Sequence, residues 1–132
     1  MRLLLDTHLA FWLAFERGRF SDAEFRLISD ERNPVAVSAV SLWELRLKWQ
    51  RVFFSGQRKG PIHPAQLADA LERSNVPIID LTGAAAVAEL QPPLDHSDPF
   101  DELLLAQAQH EGYRLLTRDA KLASHSIALV AR

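Results

Sequence analysis

Short apolar runs alternating with helix-length segments predict an α/β fold for this chain, with three layers, α/β/α, around a short central parallel sheet. The clearest sign is Leu3-Leu4-Leu5, which is apolar without alternation, as a strand buried on both faces requires. The stretches between such runs are long enough for the crossover helices that parallel strands need. Composition agrees: 132 residues, 48% hydrophobic and 24% charged, suit one globular domain spanning residues 1–132, with a core that needs no disulfide or structural zinc.

Taken in order, the first strand ends at Asp6, and residues 7–15 continue with the helical spacing of Phe11, Trp12 and Phe15. Ser21 opens a second helix as N-cap. Glu24, three residues on, completes a capping box, and Phe25 and Ile28 form the apolar side. Residues 34–38, with Val35 and Val37, make a second strand that leads straight into a helix over 39–51. Residues 52–63 hold Ser55, Gly56, Gly60 and Pro61 together with Arg58 and Lys59, a basic loop. A helix over 64–74 follows, then a strand over 76–81 with Pro77 at its start, then an Ala-rich helix over 82–90 stopped by Pro92 and Pro93. A helix over 98–111 closes at Gly112, and strands over 113–117 and 127–130 complete the pattern.

The absence of cysteine removes thiol catalysis, Fe–S clusters and Cys-ligated zinc. Met1-Arg2 and the leucines imitate the start of a signal peptide, but Asp6 and His8 break the apolar region at once. With no bilayer-length apolar run and no lipidation motif, the chain reads as cytoplasmic with no membrane contact. Lys+Arg 15 against Asp+Glu 17 gives a net charge of -2, so any RNA contact must come from a local basic patch beside an acidic site.

In an open parallel sheet the functional crevice lies outside the carboxyl ends of the strands, which directs attention to acids that follow strands. Asp6 and Asp119 do so, although each also suits a helix cap or turn. Glu44 borders an apolar stripe of the helix over 39–51, where it can pair with Lys48 at i,i+4 or point across the crevice toward Asp6. In Asp98-Pro99-Phe100-Asp101 the ordinary roles are N-cap for Asp98 and a favourable first-turn charge for Asp101, yet Asp101 shares a stripe with Leu104, Leu105 and Ala108. Acids gathered at one sheet edge would repel and raise each other's pKa, which points to a bound cation. With oxygen donors and no Cys that cation is hard, Mg²⁺ or Mn²⁺. A zinc site is disfavoured, since His8, His63, His96, His110 and His125 show no i,i+4 pair.

Leu3-Leu4-Leu5-Asp6-Thr7-His8, Ser41-Leu42-Trp43-Glu44-Leu45, Asp98-Pro99-Phe100-Asp101 with Leu105-Ala106-Gln107-Ala108, and Leu116-Thr117-Arg118-Asp119 resemble, in order and spacing, the PIN-domain family. More narrowly the whole chain is similar to VapC-type toxin ribonucleases of type II toxin–antitoxin pairs. The resemblance implies that Asp6, Glu44, Asp101 and Asp119 form an acidic quartet around Mg²⁺ or Mn²⁺. Asp98 and Thr117 would support it from behind. It also implies a homodimer, a VapB-like antitoxin that blocks the site, and RNA cleavage leaving a 5′-phosphate and a 3′-hydroxyl. Glu102 departs from the pattern, since many relatives carry Arg after the motif aspartate.

Arg46, Lys48, Arg51 and Arg118 are the expected phosphate contacts, with Arg58, Lys59 and Lys121 nearby in sequence. Trp12, Trp43 and Trp49 could stack on unpaired bases, but each lies at helical spacing with other apolar side chains, which favours packing roles. Two rival functions stand beside the nuclease. A receiver-like signalling domain would also hold Mg²⁺ on strand-end aspartates, one of which becomes phosphorylated, but Asp80 precedes Leu81-Thr82-Gly83 without the matching pattern; a non-catalytic RNA-binding module would bind RNA without metal-dependent cleavage.

Overall fold

A computed structural model describes residues 1–95 and 98–131, which leaves His96 outside the described residues. Five parallel strands run in the order β3-β2-β1-β4-β5: β1 Leu3–Leu5, β2 Val35–Ser38, β3 Ile78–Ile79, β4 Arg114–Leu116 and β5 Ala128–Leu129. The leucine run is the central strand. Leu3 aligns with Val35 on one side and Arg114 on the other, and Leu5 with Val37 and Leu116. All three leucines are fully buried, as an unbroken apolar strand in a two-faced sheet demands.

The helices are α1 Thr7–Phe15, α2 Asp22–Ser29, α3 Ala39–Gln50, α4 Pro64–Arg73, α5 Gly83–Val87 and α6 Pro99–Glu111. They divide the core in two. Leu5, Leu9, Leu13, Leu67, Leu71 and Leu116 pack together on one face, and Leu4, Leu104, Leu105, Ala108, Tyr113 and Leu115 on the other. This alternation of Leu4 and Leu5 across the sheet gives the three-layer α/β/α arrangement that the sequence predicts.

Several elements differ from expectation for identifiable reasons. The strand over 76–81 shrinks to Ile78–Ile79, an edge strand whose only neighbour among the described residues is β2, and Pro77 contributes a carbonyl to Val37 N–H (3.0 Å) but no donor of its own. The Ala-rich helix over 82–90 is only Gly83–Val87, ending at Ala88 well before Pro92 and Pro93. Thr82 caps it through Ala85 N–H (3.1 Å), but Ala85 is its one buried residue, so little packing prolongs it. Phe25 is half exposed, and the buried member of α2 is Glu24. Trp43 is 51% exposed and meets Phe100 edge-on, 5.8 Å between centroids, so it is not a core residue.

Between α3 and α4 the chain folds back through a Val52–Arg58 antiparallel bridge. Gly60 returns so close to α3 that a Cβ there would lie 2.8 Å from the Trp49 backbone nitrogen, which reserves the position for glycine. No helix among the described residues is long and apolar enough to cross a membrane.

Candidate active site

Because the strands are parallel, the residues that follow β1, β2 and β4 emerge at the same sheet edge. A cleft of about 550 Å³ opens there, and Asp6, Glu44, Asp98, Asp101 and Asp119 all line it. Four separate segments therefore deliver five carboxylates to one cavity.

Asp6 is the N-cap of α1, where its Oδ1 accepts from Leu9 N–H at 2.9 Å. Its Oδ2 accepts from the Thr117 hydroxyl at 2.6 Å, and that hydroxyl in turn accepts from Asp119 N–H at 3.0 Å. Thr117, fully buried behind the cleft, thus couples the ends of β1 and β4 through one oxygen. Burial pushes the Asp6 carboxyl above its ordinary pKa and Glu44's charge adds to the rise, while Thr117, Leu9 and the nearby His8 pull the other way without reversing it.

Glu44 is held from two sides. The Thr7 hydroxyl donates to its Oε1 (2.8 Å) and lies 3.0 Å from the buried Ser41 hydroxyl, one turn back along α3. Lys48 Nζ stands 3.1 Å from Oε2. Glu44 thus pairs with Lys48 at i,i+4 and also lines the cleft that Asp6 lines.

On the opposite wall Asp98 caps α6, accepting from Phe100 N–H (2.9 Å) and Asp101 N–H (3.3 Å), with Pro99 at the first helical position. Asp101 is then carried one turn before the buried Leu104 and Leu105, which fixes the side of α6 it occupies. Asp119 Oδ1 accepts from Lys121 N–H (2.9 Å) in the turn after β4.

Of the basic residues expected at the site, Lys48, Arg51 and Arg118 line the cleft. Lys48 is engaged with Glu44, and Arg118 with Glu24 through two 2.6 Å contacts. Arg46 does not line the cleft; it borders a shallow groove formed with Leu42, Trp43 and Pro64. Arg58 lies over the Trp49 ring and Lys59 over Phe53 in the α3–α4 connection. Sequence reasoning overlooked His8 and Phe100 as lining residues and Ser41 as support for Glu44, whereas Trp12, weighed as a base-stacking residue, does line the cleft. Their signals were present: His8 and Phe100 sit within two residues of motif acids, and Ser41 precedes Glu44 by one helical turn.

Among the described residues no three acidic or histidine side chains are close enough to form a ready-made metal cage. The carboxylates ring a cavity instead, and this suits Mg²⁺, which keeps several of its waters and takes one or two carboxylates directly. The donor set is hard oxygen, and a desolvated Asp6 with an acidic neighbour gains from a cation beside it.

This fold and this set of motif acids place the chain in the PIN-domain family, whose model matches residues 3–127. Ribonuclease VapC22 of Mycobacterium tuberculosis (strain ATCC 25618 / H37Rv) is 34% identical over 126 residues, 93% of this chain and 91% of that protein. The fold also superposes, at a TM-score of 0.66 and 20% identity, on a chain of VapBC2 from Rickettsia felis bound to a promoter DNA fragment, covering 98% of this chain and 97% of that one.

Proposed function

We propose that this protein is a Mg²⁺- or Mn²⁺-dependent endoribonuclease of the VapC type, the toxin of a type II toxin–antitoxin pair. The observation that carries the reading is the convergence of Asp6, Glu44, Asp101 and Asp119 on one cleft at the carboxyl edge of the sheet. The 34% identity to a ribonuclease across nearly the whole chain supports the same chemistry. In this reading residues 1–132 work as one nuclease domain in the cytoplasm, as a homodimer, inhibited by a VapB-like antitoxin.

Asp6, Glu44, Asp101 and Asp119 would hold the metal, and the chemistry it supplies when bound is polarisation of the scissile phosphate and acidification of a water. The chain's own residues prepare for this. Leu9 N–H and the Thr117 hydroxyl fix both Asp6 oxygens, so the carboxylate pays little reorganisation when a cation arrives. Thr7 orients Glu44 in the same way, while Lys48 offsets its charge when no cation is near. Arg51 and Arg118 provide cationic walls for the RNA backbone, positioning it without reading its sequence.

The phosphoacceptor alternative draws no support from the geometry: Asp80 is exposed after the edge strand β3 and does not line the cleft. Purified protein incubated with single-stranded RNA should cleave it with Mg²⁺ or Mn²⁺ and not with chelator, leaving 5′-phosphate ends. Cleavage that persists in chelator, or RNA binding with no cleavage under any divalent ion, would reject the nuclease reading.

A further inference from the structure

Glu24 is 1% exposed, lies outside the acidic cleft and has no part in the chemistry above. As the third residue of α2 it completes a capping box, its Oε2 accepting from Ser21 N–H at 2.9 Å. A capping box by itself does not require its glutamate to be buried. The burial is explained by Arg118. Its Nε donates to Glu24 Oε1 and its Nη2 to Oε2, each at 2.6 Å, the paired geometry in which a guanidinium is held most firmly. Nη2 also donates to the Arg19 carbonyl (2.9 Å), and the guanidinium lies over the Trp12 ring, 4.7 Å from its centroid.

These contacts consume the Nε hydrogen and both Nη2 hydrogens. The Nη1 group has no protein acceptor among the described residues, although Arg118 lines the cleft together with Asp6, Trp12 and Asp119. Two acids of the cleft are thus near neighbours of this cation, and an untethered guanidinium would be drawn onto them. The pair with Glu24 holds it back against the wall.

We propose that Glu24 is a positioning residue for RNA: it fixes Arg118 so that the Nη1 hydrogens face a backbone phosphate of single-stranded RNA in the cleft. The inference rests on the nuclease reading and adds to it a residue that never touches substrate. It carries a sign that general electrostatics does not share. Removing a negative charge next to the cleft should tighten RNA binding if only net charge matters. If Glu24 acts by holding Arg118, its removal must weaken binding.

The test is fluorescence anisotropy of a labelled single-stranded RNA in chelator, so that no cleavage intervenes, over a series of salt concentrations. Arg118→Met should weaken binding roughly tenfold, as expected for loss of a charged hydrogen-bond donor. It should also flatten the slope of log affinity against log salt by about 0.7, one phosphate on a single strand. Glu24→Gln should weaken binding in the same direction, and the double variant should be no worse than Arg118→Met alone, because Glu24 acts through Arg118. Glu24→Gln that folds and binds RNA as tightly as wild type, or more tightly, overturns the proposal, as does full additivity in the double variant. Should Glu24→Gln fail to fold, Arg118→Lys keeps the charge but cannot form the fork; wild-type affinity in that variant overturns the proposal equally. Failure of the underlying reading looks different: wild type itself would not cleave RNA with Mn²⁺, whereas failure of the positioning role leaves wild-type cleavage intact.

Discussion

Asp6 and Glu24 are both shielded carboxylates at the start of a helix, and the fold treats them in opposite ways. Glu24 receives a guanidinium in paired geometry, and Arg118 holds its carboxyl below the usual carboxylate range despite burial. Asp6 receives only neutral donors, Leu9 N–H and the Thr117 hydroxyl, and sits near another acid, so burial leaves its pKa raised. One acid is held in a close ion pair; the other has no ion-pair partner among the described residues, and the charges near it do not bring its pKa back down. Two carboxylates pushed apart by their surroundings suit different tasks, and in the proposed nuclease Glu24 is the structural acid and Asp6 the one that meets the cation.

The largest effect that separates them is on catalysis. Asp6→Asn should reduce metal-dependent RNA cleavage by roughly a hundredfold or more, since it removes a charge from the proposed cation site. At neutral pH the metal-free variant should melt no lower than wild type, because the desolvated charge it removes was unfavourable. A folded variant with wild-type cleavage at saturating Mn²⁺ would collapse the distinction drawn here. Asp101→Asn should behave likewise toward activity.

Next in size is the stability cost of separating Arg118 from Glu24. Because the Arg118 side chain is partly exposed, Glu24→Ala should destabilise the fold by about 1.5–2 kcal/mol by urea unfolding, the range for a hydrogen bond to a charged group. A cost under about 0.5 kcal/mol, ordinary for a surface substitution, would mean that the pair is not structural.

The two acids should also give opposite pH dependences. Glu24 has a lowered folded pKa, so its stabilising contribution is complete above the unfolded value, about 4.3, and is lost as pH falls through the lower folded value. Asp6 has a raised folded pKa; between the unfolded value, about 3.9, and that raised value the folded state binds more protons, so its contribution to metal-free stability declines as pH rises. Mn²⁺ at a hundred times its dissociation constant should restore about 2.7 kcal/mol at neutral pH. Melting curves with chelator and with Mn²⁺ measure this, and superimposable curves would count against the metal site.

The smallest effect is a refinement. Thr117→Val removes the hydroxyl that lowers the Asp6 pKa and costs about 1 kcal/mol of stability. Asp6 should then ionise at still higher pH, and the acid limb of the cleavage profile should move upward. An unmoved limb would show that Thr117 supports the fold without tuning Asp6.

Much of the cleft was legible because its residues announce themselves locally. Asp6 follows an unbroken leucine strand, Asp98 and Pro99 form a helix start, and Leu116-Thr117-Arg118-Asp119 closes another strand. What escaped was set by partners distant in sequence. The Ser21–Glu24 capping box is readable from four residues, but the Glu24–Arg118 pair joins positions 94 apart and turns a surface helix start into a buried anchor. Phe25 was expected inward for the same reason, since α2 is turned so that Glu24, not Phe25, meets the protein. Trp43 and Arg46 looked equivalent to their neighbours on α3, yet both border a groove with α4, and contact with Phe100 is what brings Trp43 to α6 as well. Element lengths were least legible where burial is thin, as in β3 and α5.

The acids of the cleft come from positions 6, 44, 98, 101 and 119, and Thr117 ties the first of them to the last. During synthesis, then, an emerging polypeptide carries Asp6 and Glu44 long before β4 exists to take its place beside β1. Until that late strand docks, Asp6 lacks the hydroxyl that fixes it and the cleft lacks a wall. A cleft arranged this way therefore stays incomplete on the ribosome until β4 and the residues after it have been made.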